Sequence, residues 1–152
     1  MIEQRIKSSL KNGETLEILR IVPPEQELAP ELNRLFGHKP ATIRRVLQER
    51  LSGLYASESA DFFFLGLLDG KAAGHLWYGY GRKQPKPLAN FGEVYTAPEH
   101  RGKGVCEALL NEFEAHFRSS PSPASFCTCG EEHVQKLYAR HGFRTVIPEA
   151  KF

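Results

Sequence analysis

The chain has 152 residues, 41% of them hydrophobic and 25% charged, with a formal net charge of +2. That composition predicts one globular domain over 1–152, too weakly basic to imply a nucleic-acid or membrane partner. The longest apolar run, FFFLGLL at 62–68, is too short to span a bilayer. MIEQRIKSSL holds no apolar signal segment and the three cysteines are an odd number, which together predict a reducing, cytoplasmic setting.

Taken in order, the chain opens with Ile2, Ile6 and Leu10, a spacing that fits one face of a strand and equally a helix. Asn12-Gly13 follows, a hairpin signal because both residues tolerate positive φ. TLEILRIV at 15–22 reads as a strand, ended by Pro23-Pro24. PELNRLFG predicts a short helix with Leu32, Leu35 and Phe36 on one side and Gly37 as its stop. ATIRRVLQERLSGL predicts a second, capped by Thr42, with Ile43, Val46, Leu47, Leu51 and Leu54 at helical spacing. DFFFLGLLDGKAAGHLWYGY is two apolar segments around DGK, a second hairpin. RKQPKP is a polar loop and LANFGEVYT a further strand.

Next comes APEHRGKGVCEALL, in which glycines at 102 and 104 lead straight into a helix with Val105, Leu109, Leu110, Phe113 and Phe117 inward. Glycines allow close approach of the backbone, and the helix start offers unsatisfied N–H groups and the positive end of the dipole. Such a terminus suits phosphate, with Arg101 and Lys103 adding charge. The same stretch also reads as a plain strand-to-helix turn, and it fits neither a Walker A loop nor a GxGxxG fingerprint. SFCTC is a short strand. EEHVQKLYARHG is an amphipathic helix carrying Val134, Leu137, Tyr138 and His141 on one face, stopped at Gly142, and FRTVI a last strand. The order β-β-α-α-β-β-β-α-β-α-β predicts an α/β domain with a mixed sheet, in which strands flanking the late helices pair in parallel.

VYTAPEHRGKGVCEALL resembles the acyl-CoA-binding signature of the GNAT superfamily of N-acetyltransferases, in which [Arg/Gln]-x-x-Gly-x-[Gly/Ala] opens a helix. Arg101, Gly102, Lys103, Gly104 and Val105 match in order, and Cys106 departs from the usual Gly/Ala. HVQKLYARHGF is similar to a second motif of that family, through Leu137, Tyr138, Gly142 and Phe143. The resemblance covers nearly the whole chain, strongest at 93–143. It implies a single-domain GNAT fold: a mixed, mostly antiparallel sheet flanked by about four helices, shortened at the last strand because only nine residues follow Phe143.

The resemblance further implies acetyl-CoA as cosubstrate and an amine of a small molecule, peptide or protein as acceptor, with no metal. The pyrophosphate would rest on backbone N–H groups of residues 101–106. The pantetheine arm would lie along Val94, Tyr95 and Thr96 like an added strand. The amine would attack the thioester directly, with Tyr138 as general acid on the CoA sulfur and Glu93 as the base; a water chain or His75 is the fallback. Tyr138 and His75 also read as core residues, and Glu93 as a strand-edge carboxylate. Tyr55, Trp77, Tyr78 and Tyr80 are candidate walls of an acceptor pocket. The short C-terminus predicts an open acceptor side, or one completed by a partner chain in a homodimer.

Cys127, Cys129 and His133 have poor spacing for zinc and no fourth ligand nearby, and the cysteines read as inert thiols. The basic stretches RKQPKP and RRVLQER read as solvated faces. A reading of another class is a non-catalytic acyl-CoA-binding or protein-interaction module on the same fold, and a third is transfer of longer acyl chains.

Overall fold

In a computed structural model, which describes residues 1–146, Asn12-Gly13 closes a hairpin between β1 (Ile2–Ser9) and β2 (Thr15–Ile21). Gly13 takes φ +85°, and Asn12 Oδ1 accepts the Glu14 N–H at 3.1 Å, so the turn is held by the residue types that predicted it. The ambiguous Ile2, Ile6 and Leu10 spacing resolves as strand, with Ile2 and Ile6 only partly buried on an edge.

Helices α1 (Ala29–Leu35) and α2 (Ala41–Leu51) flank a 3₁₀ turn at Phe36–His38. Leu32, Leu35 and Phe36 are buried as expected. In α2 only Leu47 and Leu51 are; Ile43, Val46 and Leu54 are exposed. The helix lays a narrow stripe on the sheet, and Leu54 lies beyond its end. Thr42 is not its cap: Pro40 holds that position at φ −53°, ψ 148°, so the helix starts two residues early and Thr42 falls inside its first turn.

Strands β3 (Ser59–Leu68) and β4 (Lys71–Gly81) form the second hairpin around Asp69-Gly70, and β5 (Ala89–Thr96) returns beside β4. A second 3₁₀ turn at Pro98–His100 leads to α3 (Val105–Phe117), then β6 (Ser125–Phe126) and α4 (Glu132–Arg140). The six strands stand in chain order, antiparallel except for the parallel β5–β6 pair. SFCTC is therefore a strand over two residues only. Phe143–Val146 does not form the predicted last strand, and Ile147 lies outside the described residues.

Two apolar layers cover the sheet. One packs Phe64, Tyr78, Phe91, Leu109, Phe113 and Tyr138 against α3 and α4; the other packs Leu19, Phe36, Leu51, Phe63 and Trp77 against α1 and α2. Each fully buried phenylalanine contributes about 1.5–3 kcal/mol of transfer free energy. One irregularity positions the site. Trp77 pairs with Gly92 but His75 with Tyr95, so β5 spends three steps where β4 spends two. This is a β-bulge, with Glu93 at φ +54° as the extra residue.

Candidate functional site

The parallel β5–β6 pair lasts for two rungs, Ala89↔Ser125 and Asn90↔Phe126. Past Asn90 the two strands part, and a cleft of about 710 Å³ opens beside the end of β5. Val94, Tyr95 and Thr96 line it from the strand, Arg101, Gly102, Gly104, Val105 and Cys106 from the turn, and Val134, Leu137, Tyr138 and Arg140 from α4. Residues far apart in sequence thus meet along one strand edge whose backbone, among the described residues, has no neighbouring strand.

At the turn, Gly102 (φ +76°) and Gly104 (φ +96°) both occupy the left-handed region, where a side chain is strained. Gly104 is the N-cap of α3 and supplies no side-chain oxygen, so the first-turn N–H groups find no cap. The Arg101 N–H donates to the Pro98 carbonyl at 3.3 Å, but the N–H groups of 102–107 make no backbone hydrogen bond among the described residues. A run of free donors at a helix start, beside Arg101, Lys11 and Arg140, fits a pyrophosphate.

Two cations near the turn have carboxylate partners. Lys103 does not line the cleft; its Nζ is 3.1 Å from Glu14. Lys11, on the β1–β2 turn, does line it: its Nζ is 2.6 Å from Glu107 and its N–H donates to the Lys103 carbonyl at 3.3 Å. The first hairpin therefore braces the glycine turn from the opposite end of the chain.

Tyr138 is 8% exposed, wedged edge-on against Phe91 at 5.2 Å, and borders the cleft. Its hydroxyl has no hydrogen bond among the described residues. Burial raises its pKa, with further contributions from Cys127, Cys106, Cys129 and Glu93, so it is a protonated donor at neutral pH. Burial also pushes the Cys106 and Cys127 thiols up to about 11. Thiols so protonated are poor nucleophiles. His133 is solvent-exposed and 3.9 Å from Glu131, and no group of three or more metal-ligating side chains converges among the described residues.

Glu93 projects from the bulge and pairs with Lys39, whose Nζ is 2.7 Å from its Oε2. The Tyr95 ring faces α1 and stacks on the His38 imidazole at 3.8 Å. His38 Nδ1 donates to the Leu35 carbonyl at 2.8 Å, and burial lowers the pKa of the ring. His75 is wholly buried, edge-on to Phe36 at 4.9 Å with neither ring nitrogen hydrogen-bonded among the described residues, and does not line the cleft. Of the predicted acceptor wall, Trp77 and Tyr78 are core residues, with Trp77 Nε1 donating to Asp61 and Tyr78 meeting His116. Sequence reading missed Lys11, His38 and Lys39. Lys11 stands in the β1–β2 turn and His38 and Lys39 in the short connection between α1 and α2, each far in sequence from the β5 and α3 residues it meets, and only the Pro40 that fixes the segment after Lys39 hints at a held conformation.

No helix among the described residues is long and apolar enough to cross a membrane. The Acetyltransferase (GNAT) family profile matches residues 25–143. No curated protein sequence matches the chain significantly. Among solved structures, a GCN5-related N-acetyltransferase from Ralstonia eutropha JMP134 superposes with a TM-score of 0.63 at 20% identity, over 90% of this chain and 97% of that one. A "predicted acetyltransferase with acetyl-CoA" from Clostridium acetobutylicum gives 0.66 at 10% identity, over 90% and 95%. AAC(6')-Iy, in complex with the bisubstrate analogue CoA-S-monomethyl-acetylneamine, gives 0.66 at 16% identity, over 90% and 96%. With its glycine turn at the helix start, its parting strands and a profile match across most of its length, this chain belongs to the GNAT acetyltransferase family.

Proposed function

We propose that the protein is an N-acetyltransferase that moves an acetyl group from acetyl-CoA to an amine of a small molecule or a polypeptide. The observation that carries this reading is a coincidence on one cleft: free N–H donors of the α3 turn at one end, and the unpartnered Tyr138 hydroxyl along the same wall.

The N–H groups from Gly102 onward, with Lys11 and Arg140, hold the pyrophosphate. Val94, Tyr95 and Thr96 offer the pantetheine arm a strand edge. The amine attacks the thioester carbonyl directly. Glu93 accepts the amine's proton and Tyr138 gives its own to the departing sulfur, which no ionised phenol can do. Backbone N–H near Thr96 polarises the carbonyl oxygen.

Calorimetric titration with acetyl-CoA, followed by turnover with polyamines, aminoglycosides and lysine peptides, tests the reading. Gly104→Asp sets a carboxylate against the pyrophosphate and abolishes binding. Tyr138→Phe leaves acetyl-CoA affinity near that of the parent and lowers turnover about 10²–10⁴-fold. Folded protein that binds no acetyl-CoA overturns the reading. Binding without transfer to any amine replaces it with a non-catalytic acyl-CoA-binding module.

A further inference from the structure

The carboxylate assigned to accept a proton from the acceptor amine already has an amine beside it. Lys39 Nζ is 2.7 Å from Glu93 Oε2, and the two side chains are 26% and 24% exposed. This ammonium comes from the chain itself, yet it stands where the proposed function requires an acceptor to stand.

The segment carrying Lys39 is held in place rather than draped. The Lys39 N–H donates to the Phe36 carbonyl at 2.9 Å, and Pro40 fixes the following φ. His38 is clamped between the Leu35 carbonyl and the Tyr95 ring. Tyr95 belongs to the stretch of β5 that lines the cleft, so the Lys39 backbone is pinned across the strand from it. Tyr138 lines the cleft; Glu93 and Lys39 do not, but Glu93 directly precedes Val94, which does, and the lysine sits on that carboxylate.

We propose, resting on the N-acetyltransferase reading, that Lys39 is an acceptor within the same chain and that the protein acetylates its own Lys39 Nζ. Glu93 takes one proton from the ammonium. The freed lone pair forms the N–C bond to the thioester carbonyl carbon, and the C–S bond breaks with its electron pair going to sulfur. Tyr138 protonates that sulfur. The second proton shed by the nitrogen restores the phenol, and the proton on Glu93 passes to solvent. The products are Nε-acetyl-Lys39, the CoA thiol and one solvent proton. An acetylated lysine has no charge to pair with Glu93, so the reaction also clears the carboxylate for an external ammonium.

The test is incubation of the full chain with acetyl-CoA, followed by peptide mass spectrometry, with Nα-acetyl-lysine amide as an external acceptor in parallel. The expected result is a time-dependent gain of one acetyl group at Lys39 that Nα-acetyl-lysine amide slows. Lys39→Arg keeps the ion pair with Glu93 and shows no label at position 39. Glu93→Gln slows labelling about tenfold or more, as loss of a general base does. Thermal melting establishes that both variants are folded. Acetyl transfer to external amines with Lys39 unmodified overturns the inference and leaves the proposed function standing. Equal labelling of native and heat-denatured protein also overturns it, as plain chemical acetylation. Absence of acetyl-CoA binding by calorimetry overturns both.

Discussion

Lowering the pH puts the packing of His75 to a direct test. The imidazole has no exposed surface, neither nitrogen is hydrogen-bonded among the described residues, and its ring meets Phe36 edge-on. Burial is the largest cause of a pKa pushed down to about 3, and His38 and Lys39 add to it. In the unfolded chain the same group titrates near about 6.5. Its folded pKa is depressed, so at low pH the unfolded state binds a proton that the folded state refuses. Stability is full above pH about 6.5 and falls by about 1.4 kcal/mol per pH unit below it. Between pH 7.5 and pH 5 the loss from this one residue is about 2 kcal/mol, a shift of about 1 M in the urea midpoint. Urea melts at both pH values, run on the parent and on His75→Phe, isolate the effect, because Glu14, Glu25 and Glu107 titrate in both proteins. The parent loses about 2 kcal/mol more than the variant. An equal loss in both would mean that His75 is solvated or paired, and would refute the picture of a dry, neutral ring.

Two further substitutions probe the frame around the cleft. Gly74→Ala brings a Cβ to 2.6 Å from the Tyr95 carbonyl and 3.0 Å from Val105 Cγ1, so it forces β4 from β5 beside the cleft. It costs about 1–3 kcal/mol in urea melts and weakens acetyl-CoA binding measured by calorimetry; parent values for both would mean that the strands yield freely. Asp61, 5% exposed, accepts from Arg50 at 2.7 Å, from Trp77 Nε1 at 2.9 Å and from Ser59. Asp61→Ala strands a guanidinium and an indole N–H and lowers unfolding free energy by about 3–5 kcal/mol; a loss below about 1 kcal/mol would mean that water replaces the carboxylate.

Much of this fold was legible because its cues are local. Asn12-Gly13, Asp69-Gly70 and the glycine pair before α3 each announce a backbone conformation within a few residues, and all three turns formed where those cues stand. The inward faces of α1 and α3 follow from a 3.6-residue period with aromatic anchors. The same rule failed in α2, because period alone does not say how wide a stripe the sheet covers; Ile43 and Val46 sit on its shoulders. SFCTC has strand-like residues, but pairing needs a neighbour, and β6 loses β5 after two rungs. The Lys39–Glu93 pair was illegible for a different reason. It joins a helix-connecting segment to a strand fifty-four positions later, and nothing local in either stretch marks the other. Tyr138 could be picked out through the motif around it, whereas Lys11 stands in a hairpin with no motif at all.

The bulge at Glu93 acts on β5 as a change of reading frame acts on a message. Before it, Ala89 and Phe91 face α3 and α4; after it, Val94 faces that way and Tyr95 turns to α1. In a regular strand of the same residues, odd positions would keep the first face throughout. Deleting Glu93 would leave Tyr95 on the α1 face, because β5 would then spend two steps where β4 spends two; drawing the same residues into a regular strand would instead exchange Tyr95 with Thr96 across the sheet, and His38 would lose its stacking partner. The site depends on the parity of one strand as much as on the chemistry of its side chains.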